Sequence, residues 1–164
     1  MKSKPSKINL LFVCMGNICR SPSAEAVMKK VIENAGLPNK ILCDSAGTLG
    51  IHAGERADGR MIRHAQKREY VLTSISRQIE ADDFRSFDYI IAMDSVNLRD
   101  MQPFIPQGDF SHKIKLMTDF CTKPNPGYVP DPYYGDAEGF EQVLDILEDA
   151  CEGLLKFLTN KHVF

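Results

Sequence analysis

Apolar and polar positions follow two different rhythms along this chain. "INLLFV" (8–13) is a continuous apolar run rich in strand formers. A run apolar on both faces predicts a central strand of a parallel sheet. From about Ser21 the period changes: Ala24, Val27, Met28, Val31 and Ala35 recur at helical spacing. Pro22 suits the first helical position, and Gly36 and Pro38 supply a stop. "KILCDSAG" (40–47), "FDYIIAMD" (87–94) and "HKIKLM" (112–117) predict three further strands. Helices are predicted over about 58–67 and from 95 to about 101, with a turn near "VLTSISRQI" between them. The last helix, about 137–159, carries one apolar stripe of Phe140, Val143, Leu144, Leu147, Cys151, Leu154, Leu155 and Leu158, with Asp136 as its N-cap. Two stretches resist regular structure, the glycine-rich "GTLGIHAGER" and the Pro/Gly segment "TKPNPGYVPDPYYGD".

Strands alternating with helices imply an α/β fold on a parallel sheet. The expected organisation is a short tail, 1–7, followed by one domain, 8–164. Such sheets bind ligands at the carboxyl ends of their strands, so the loop after the first strand is a site before any chemistry is considered.

Composition narrows the choices. A net charge of −2 over 164 residues leaves no global basic field for nucleic acid, so an anion site must be local. The apolar run behind the basic "MKSKPSK" is too short for a signal-peptide core or a membrane span, so a cytoplasmic protein without membrane attachment is expected. Five cysteines, an odd number, do not make a secreted disulfide framework. Cys14 and Cys19 have a zinc-knuckle spacing, but Cys43, Cys121 and Cys151 form no second close pair and His52, His64, His112 and His162 are scattered. A closed zinc site needs four ligands, so no metal is expected. Neither of the common nucleotide-binding glycine loops is present.

The chemistry concentrates in "CMGNICRS" (14–21), between strand and helix. A loop there faces the positive end of the helix dipole, and its N–H groups can converge into an anion nest formed by Met15, Gly16, Asn17, Ile18 and Cys19. Gly16 permits backbone conformations closed to other residues. Arg20 adds a planar fork that matches phosphate bidentately. A thiol in such a field gives up its proton more readily. Cys14 is therefore a candidate nucleophile for attack on phosphorus. The departing oxygen needs a proton, and "VPDPYYGD" (129–136) presents Asp131 between two prolines. Tyr133 and Tyr134 beside it can wall a cleft and pack against an aromatic leaving group.

Together these residues resemble the low-molecular-weight protein tyrosine phosphatases. "VCMGNICRSPSAE" matches that family's phosphate loop and "DPYYGD" its general-acid loop, while "DSAGT" (44–48), "RQI" (77–79) and "IAMD" (91–94) match landmarks between them, in order. The resemblance runs from about Ile8 to Leu158. It implies a flavodoxin-like, four-stranded parallel sheet with helices on both faces. It implies catalysis by Cys14 as nucleophile, Arg20 as phosphate clamp and Asp131 as general acid and then base, through a cysteinyl-phosphate, without metal or organic cofactor. By the same resemblance Ser21 donates to the thiolate, Asn17 and Ser45 support the loop from behind, and Cys19 is a redox partner that forms a reversible disulfide with Cys14. A phosphotyrosine protein is the implied partner, with phosphate and similar oxyanions as inhibitors, and the chain is expected to act as a monomer.

The sequence departs from the family at two places. Where many members carry a histidine followed by glycine, it reads "EYVL" (69–72). Where some relatives place a tryptophan on the cleft rim, it offers Leu49 or Ile51. Ile18 stands where relatives resembling phosphoarginine phosphatases have threonine, and an apolar wall suits a phenyl ring better. Two competing functions remain to be weighed. An arsenate reductase-like thiol enzyme needs a second mobile cysteine pair mid-chain, and residues 70–100 contain no cysteine. A non-catalytic phosphopeptide-binding module needs Arg20 and the nest but neither Cys14 nor Asp131.

Overall fold

The computed structural model describes residues 7–164, so the tail predicted over 1–7 lies outside the described residues except for Lys7, an exposed coil residue. Four strands form one sheet: β1 (Ile8–Cys14), β2 (Ile41–Gly47), β3 (Tyr89–Ala92) and β4 (Ile114–Leu116). Their order is β2-β1-β3-β4 and every pairing is parallel. This is the flavodoxin-like arrangement. The five α-helices are α1 (Arg20–Asn34), α2 (Gly59–Gln66), α3 (Asp83–Ser86), α4 (Ser95–Met101) and α5 (Ala137–Lys161).

The two-sided burial of β1 explains its unbroken apolar run. Ile8, Leu10, Phe12 and Cys14 point into a core shared with α1, α2 and α5. Leu11 and Val13 point the opposite way, to a smaller core with Ile79, Phe84 and Met101. The predicted stripe of α5 is its buried face except at Leu155, which is only partly buried: Phe140, Val143, Leu144, Leu147, Cys151, Leu154 and Leu158 are all at most 1% exposed. Gly153 lies where α5 meets the turn Met117–Phe120; a Cβ there would sit 1.8 Å from the Phe120 carbonyl oxygen.

Several boundaries differ from the pattern. α1 begins at Arg20, so Pro22 is its third residue. A proline is tolerated there because the first four N–H groups of a helix have no intrahelical acceptor. β3 is four residues long because Phe87 ends α3 and Asp94 already caps α4. β4 is three residues long because His112 and Lys113 belong to a 3₁₀ turn. The segment read as a turn near "VLTSISRQI" is an extended strap that pairs at Arg56↔Ile75 and Gly47↔Gln78.

Strand order reverses about β1, whose neighbours β2 and β3 are reached by crossovers in opposite directions. The carboxyl ends of β1 and β3 therefore open a crevice at a topological switch point. Cys14 and Gly47 are paired at its floor.

Candidate active site

The site begins where β1 runs out. Cys14 is its last residue, and the chain loops through residues 15–19 before α1 starts at Arg20. Asn17 takes φ +56°, a left-handed turn that asparagine tolerates better than most residues. Gly47 makes room behind the loop, since a Cβ there would lie 2.7 Å from the Met15 carbonyl oxygen. Among the described residues, no protein acceptor pairs with the backbone N–H groups of residues 16–19. α1 likewise has no side-chain N-cap. Free N–H groups at a helix N-terminus form an anion site.

The loop is held from three sides. The strap supplies Ser76, whose hydroxyl donates to the Gly16 carbonyl at 3.0 Å, and Arg77, whose N–H donates to Asn17 Oδ1 at 3.0 Å. α2 supplies the Asp58 N–H, which donates to the Ile18 carbonyl at 2.8 Å. β2 and the residues after it supply the N–H groups of Thr48 and Leu49, bonded to the carbonyls of Cys14 and Met15. Within the loop, Asn17 Nδ2 donates to Ser21 Oγ at 2.8 Å, and Ser21 Oγ stands 3.0 Å from Cys14 Sγ. The Arg77 N–H fixes which way round the Asn17 amide sits. Asn17 occupies an acceptor site on the Ser21 oxygen, and the hydroxyl proton has two acceptors in reach, Cys14 Sγ at 3.0 Å and the Ala46 carbonyl at 3.5 Å; turned to sulfur it donates to a Cys14 thiolate.

Arg20 is 3% exposed, and its guanidinium is aimed by three groups. Nη1 donates to Asp94 Oδ2 at 2.6 Å and to the Val129 carbonyl at 3.1 Å, and Nη2 stands 3.6 Å from Asp131 Oδ2. Burial alone would lower the Arg20 pKa, but Cys14, the Asp94 hydrogen bond and Asp131 outweigh it and the pKa is raised. Asp94 is itself rigid, because it closes a capping box with Asn97 at the start of α4. Asp131 Oδ1 accepts the Tyr133 N–H at 3.1 Å, which turns the carboxylate in the acid segment.

One cleft is lined by Cys14, Met15, Gly16, Ile18, Cys19, Arg20, Ile51, His52, Asp131, Tyr133 and Tyr134. It brings both distant motifs together. Of the expected rim pair, Ile51 lines the cleft and Leu49 does not; His52 stands beside Ile51, with Nδ1 against Glu55 at 2.5 Å. Ser45 is buried, and its hydroxyl donates to Glu25 Oε1 on α1 at 2.7 Å rather than to the loop, whose direct support comes from the strap, Asp58, Thr48 and Leu49. Cys19 is 4% exposed, and burial, then Asp58 and Cys14, push its thiol pKa up. Asp94, His52, Ser76, Arg77 and Glu25 were not read from sequence as site residues. Asp94 at the end of "IAMD", Arg77 at the start of "RQI" and Glu25 at the end of "VCMGNICRSPSAE" lie in the family landmarks, but only as landmarks and without a role. Among the described residues no group of His, Cys, Asp and Glu could hold a metal ion.

A buried cysteine and arginine on a strand–loop–helix nest, facing a carboxylate across a cleft, define a cysteine-dependent phosphate-loop enzyme. The family model for low molecular weight phosphotyrosine protein phosphatase matches residues 9–163, and the chain belongs to that family. A protein tyrosine phosphatase from Entamoeba histolytica, crystallised with Hepes in the active site, is 52% identical; the match covers 94% of this chain and 98% of that one, with a TM-score of 0.91. The low molecular weight phosphotyrosine protein phosphatase of Schizosaccharomyces pombe is 41% identical over 150 residues, 91% of this chain and 96% of its relative. The structure of the Drosophila arginine phosphatase is also similar, at 30% identity and a TM-score of 0.82, covering 90% of this chain and 96% of that one.

Proposed function

We infer that the chain is a protein-tyrosine-phosphatase that cleaves phosphotyrosine, and small aryl phosphates, through a cysteinyl-phosphate on Cys14. The observation that carries this reading is the single cleft lined by Cys14, Arg20 and Asp131. In the first step the Cys14 thiolate attacks phosphorus, an S–P bond forms and the P–O bond to the phenol breaks. Asp131, protonated, gives its proton to the leaving oxygen. Arg20 and the nest N–H groups hold the equatorial oxygens as charge builds on them. In the second step Asp131, now a carboxylate, takes a proton from water as that water attacks phosphorus. The P–S bond breaks, and phosphate leaves with Cys14 again a thiolate held by Ser21.

Ile18, Ile51 and Tyr133 give the cleft apolar walls, which favour a phenyl ring over the cationic, polar guanidino group of phosphoarginine. Hepes carries a tetrahedral sulfonate, and its presence in the active site of the Entamoeba relative supports inhibition of this chain by phosphate and related oxyanions. No helix among the described residues is long and apolar enough to cross a membrane. Action as a monomer on a cytoplasmic phosphoprotein is part of the same proposal.

The test is hydrolysis of para-nitrophenyl phosphate by wild type, Cys14→Ser and Asp131→Ala. The serine variant should be inactive, because a hydroxyl is barely ionised at neutral pH. The alanine variant should be slowed roughly 10²–10⁴-fold. Full turnover by Cys14→Ser would overturn the mechanism.

A further inference from the structure

Arg60 joins the phosphate loop to the acid loop through Tyr133. Asp58, the N-cap of α2, anchors the assembly on the phosphate-loop side: its N–H donates to the Ile18 carbonyl at 2.8 Å. Its carboxylate holds Arg60 in a fork, with Nε on Oδ1 at 3.1 Å and Nη2 on Oδ2 at 2.9 Å. That contact lowers the Asp58 pKa and raises that of Arg60. On the other side, Arg60 Nη2 donates to the Tyr133 carbonyl at 3.0 Å. The N–H of the same tyrosine donates to Asp131 Oδ1. The guanidinium carbon also lies 5.3 Å from the Tyr133 ring centre and 5.0 Å from that of Phe140. Arg60 thus holds one face of a peptide unit pair whose other end orients the acid. It does not line the cleft and touches neither Cys14 nor Asp131.

We propose that Arg60 is a positioning residue for proton transfer: it clamps Tyr133 to the Asp58–Ile18 corner so that Asp131 meets the leaving oxygen. The proposal rests on the reading of Asp131 as general acid. Without the clamp the segment 131–135 keeps the Arg20–Asp131 approach, the Tyr133–Asp131 and Gly135–Pro132 bonds within itself, and ring contacts of Tyr133 with His52 and Tyr134, but, among the described residues, no hydrogen bond from Tyr133 to the phosphate-loop side. A misplacement of about 1 Å can cost on the order of a hundredfold in rate.

The experiment measures kcat/KM for phenyl phosphate, whose leaving group needs a proton, and for 2,4-dinitrophenyl phosphate, whose leaving group does not. It uses wild type, Arg60→Gln, Arg60→Lys, Asp131→Asn and the Arg60→Gln/Asp131→Asn double variant. Arg60→Gln should lose about ten- to a hundredfold on phenyl phosphate and less than about twofold on the dinitrophenyl ester. Arg60→Lys keeps the charge and the ring contacts but has no fork, so it should show the same selective loss. In the Asp131→Asn background Arg60→Gln should cost nothing further. Equal losses on both esters, no loss in either Arg60 variant, or a loss that persists without Asp131 would each overturn the clamp. Asp131→Asn showing no preference for the activated ester would instead sink the general-acid reading, and the clamp with it.

Discussion

The Asn17 side chain turns its two ends to opposite partners, its amide nitrogen to Ser21 Oγ at 2.8 Å and its carbonyl to the Arg77 N–H at 3.0 Å. Through Ser21 that arrangement reaches the sulfur of Cys14. The residue also holds a φ of +56°, so it has a backbone duty and a side-chain duty. The two are separable. Asn17→Gly and Asn17→Ala both lose the amide, and both should lose a similar factor in kcat. Only alanine adds the cost of a left-handed conformation, about 1–2 kcal/mol. Thermal unfolding should therefore place Asn17→Ala below Asn17→Gly, and equal midpoints would show that the turn carries no strain.

Asp94→Asn separates charge from capping. Asparagine caps a helix as well as aspartate, so α4 should keep its start. The buried Arg20 guanidinium loses its 2.6 Å partner and keeps only the Val129 carbonyl and Asp131 at 3.6 Å. Breaking a buried pair costs about 3–5 kcal/mol; the remaining partners put this variant near the lower end. Inorganic phosphate should also inhibit it less strongly, because Arg20 is no longer aimed. Simple charge counting predicts tighter phosphate binding when an acid is removed, so the direction of the change in Ki decides between aiming and net field.

A second carboxylate acts on stability rather than on the site. Glu141 on α5 accepts from Arg68 at 2.7 Å and meets His64 Nδ1 at 2.5 Å, tying α5 to α2 and the turn beyond it. The Arg68 hydrogen bond, with His64 second, lowers its pKa below the ordinary value of 4.5. A carboxylate with a depressed folded pKa contributes stability that is complete above the unfolded value and lost as pH falls through the folded one. The melting-temperature gap between wild type and Glu141→Gln should be larger at pH 6 than in acid and should narrow as pH falls below the ordinary glutamate value of 4.5. A gap unchanged at pH 3 would mean that the ion pair does not carry it.

What the sequence disclosed and what it hid divide along physical lines. β1 and α5 were legible because burial on two faces, or on one helical stripe, writes itself into residue spacing. The phosphate loop was legible because its residues are contiguous, and Asp131 as a candidate acid because two prolines frame it. Ser76 and Arg77 were not, because their part is played largely by a hydroxyl and a main-chain N–H that reach across sixty residues. Asp94 looked like the end of a strand, and only the fold turns its carboxylate onto Arg20. Ser45 shows the converse: it lies behind the loop as expected, yet its hydroxyl is committed to Glu25. α3, a single turn, was too short to leave a period.

Cys19 offers the last test, because its position and its chemistry pull in opposite directions. It lines the same cleft as Cys14, which suits a thiol that captures an oxidised nucleophile. Yet burial and nearby Asp58 raise its pKa, so it is mostly a thiol at neutral pH and a slow attacker. Hydrogen peroxide should oxidise Cys14 to a sulfenic acid; Cys19 sulfur then attacks that sulfur, an S–S bond forms and water leaves. Because the attacking form is the thiolate, closure should be faster at pH 8 than at pH 6. After peroxide, a dithiol should restore most activity to wild type and much less to Cys19→Ser, whose sulfenic acid stays open to further oxidation. Equal recovery in both proteins would remove Cys19 from the redox cycle and leave it as a buried wall of the cleft.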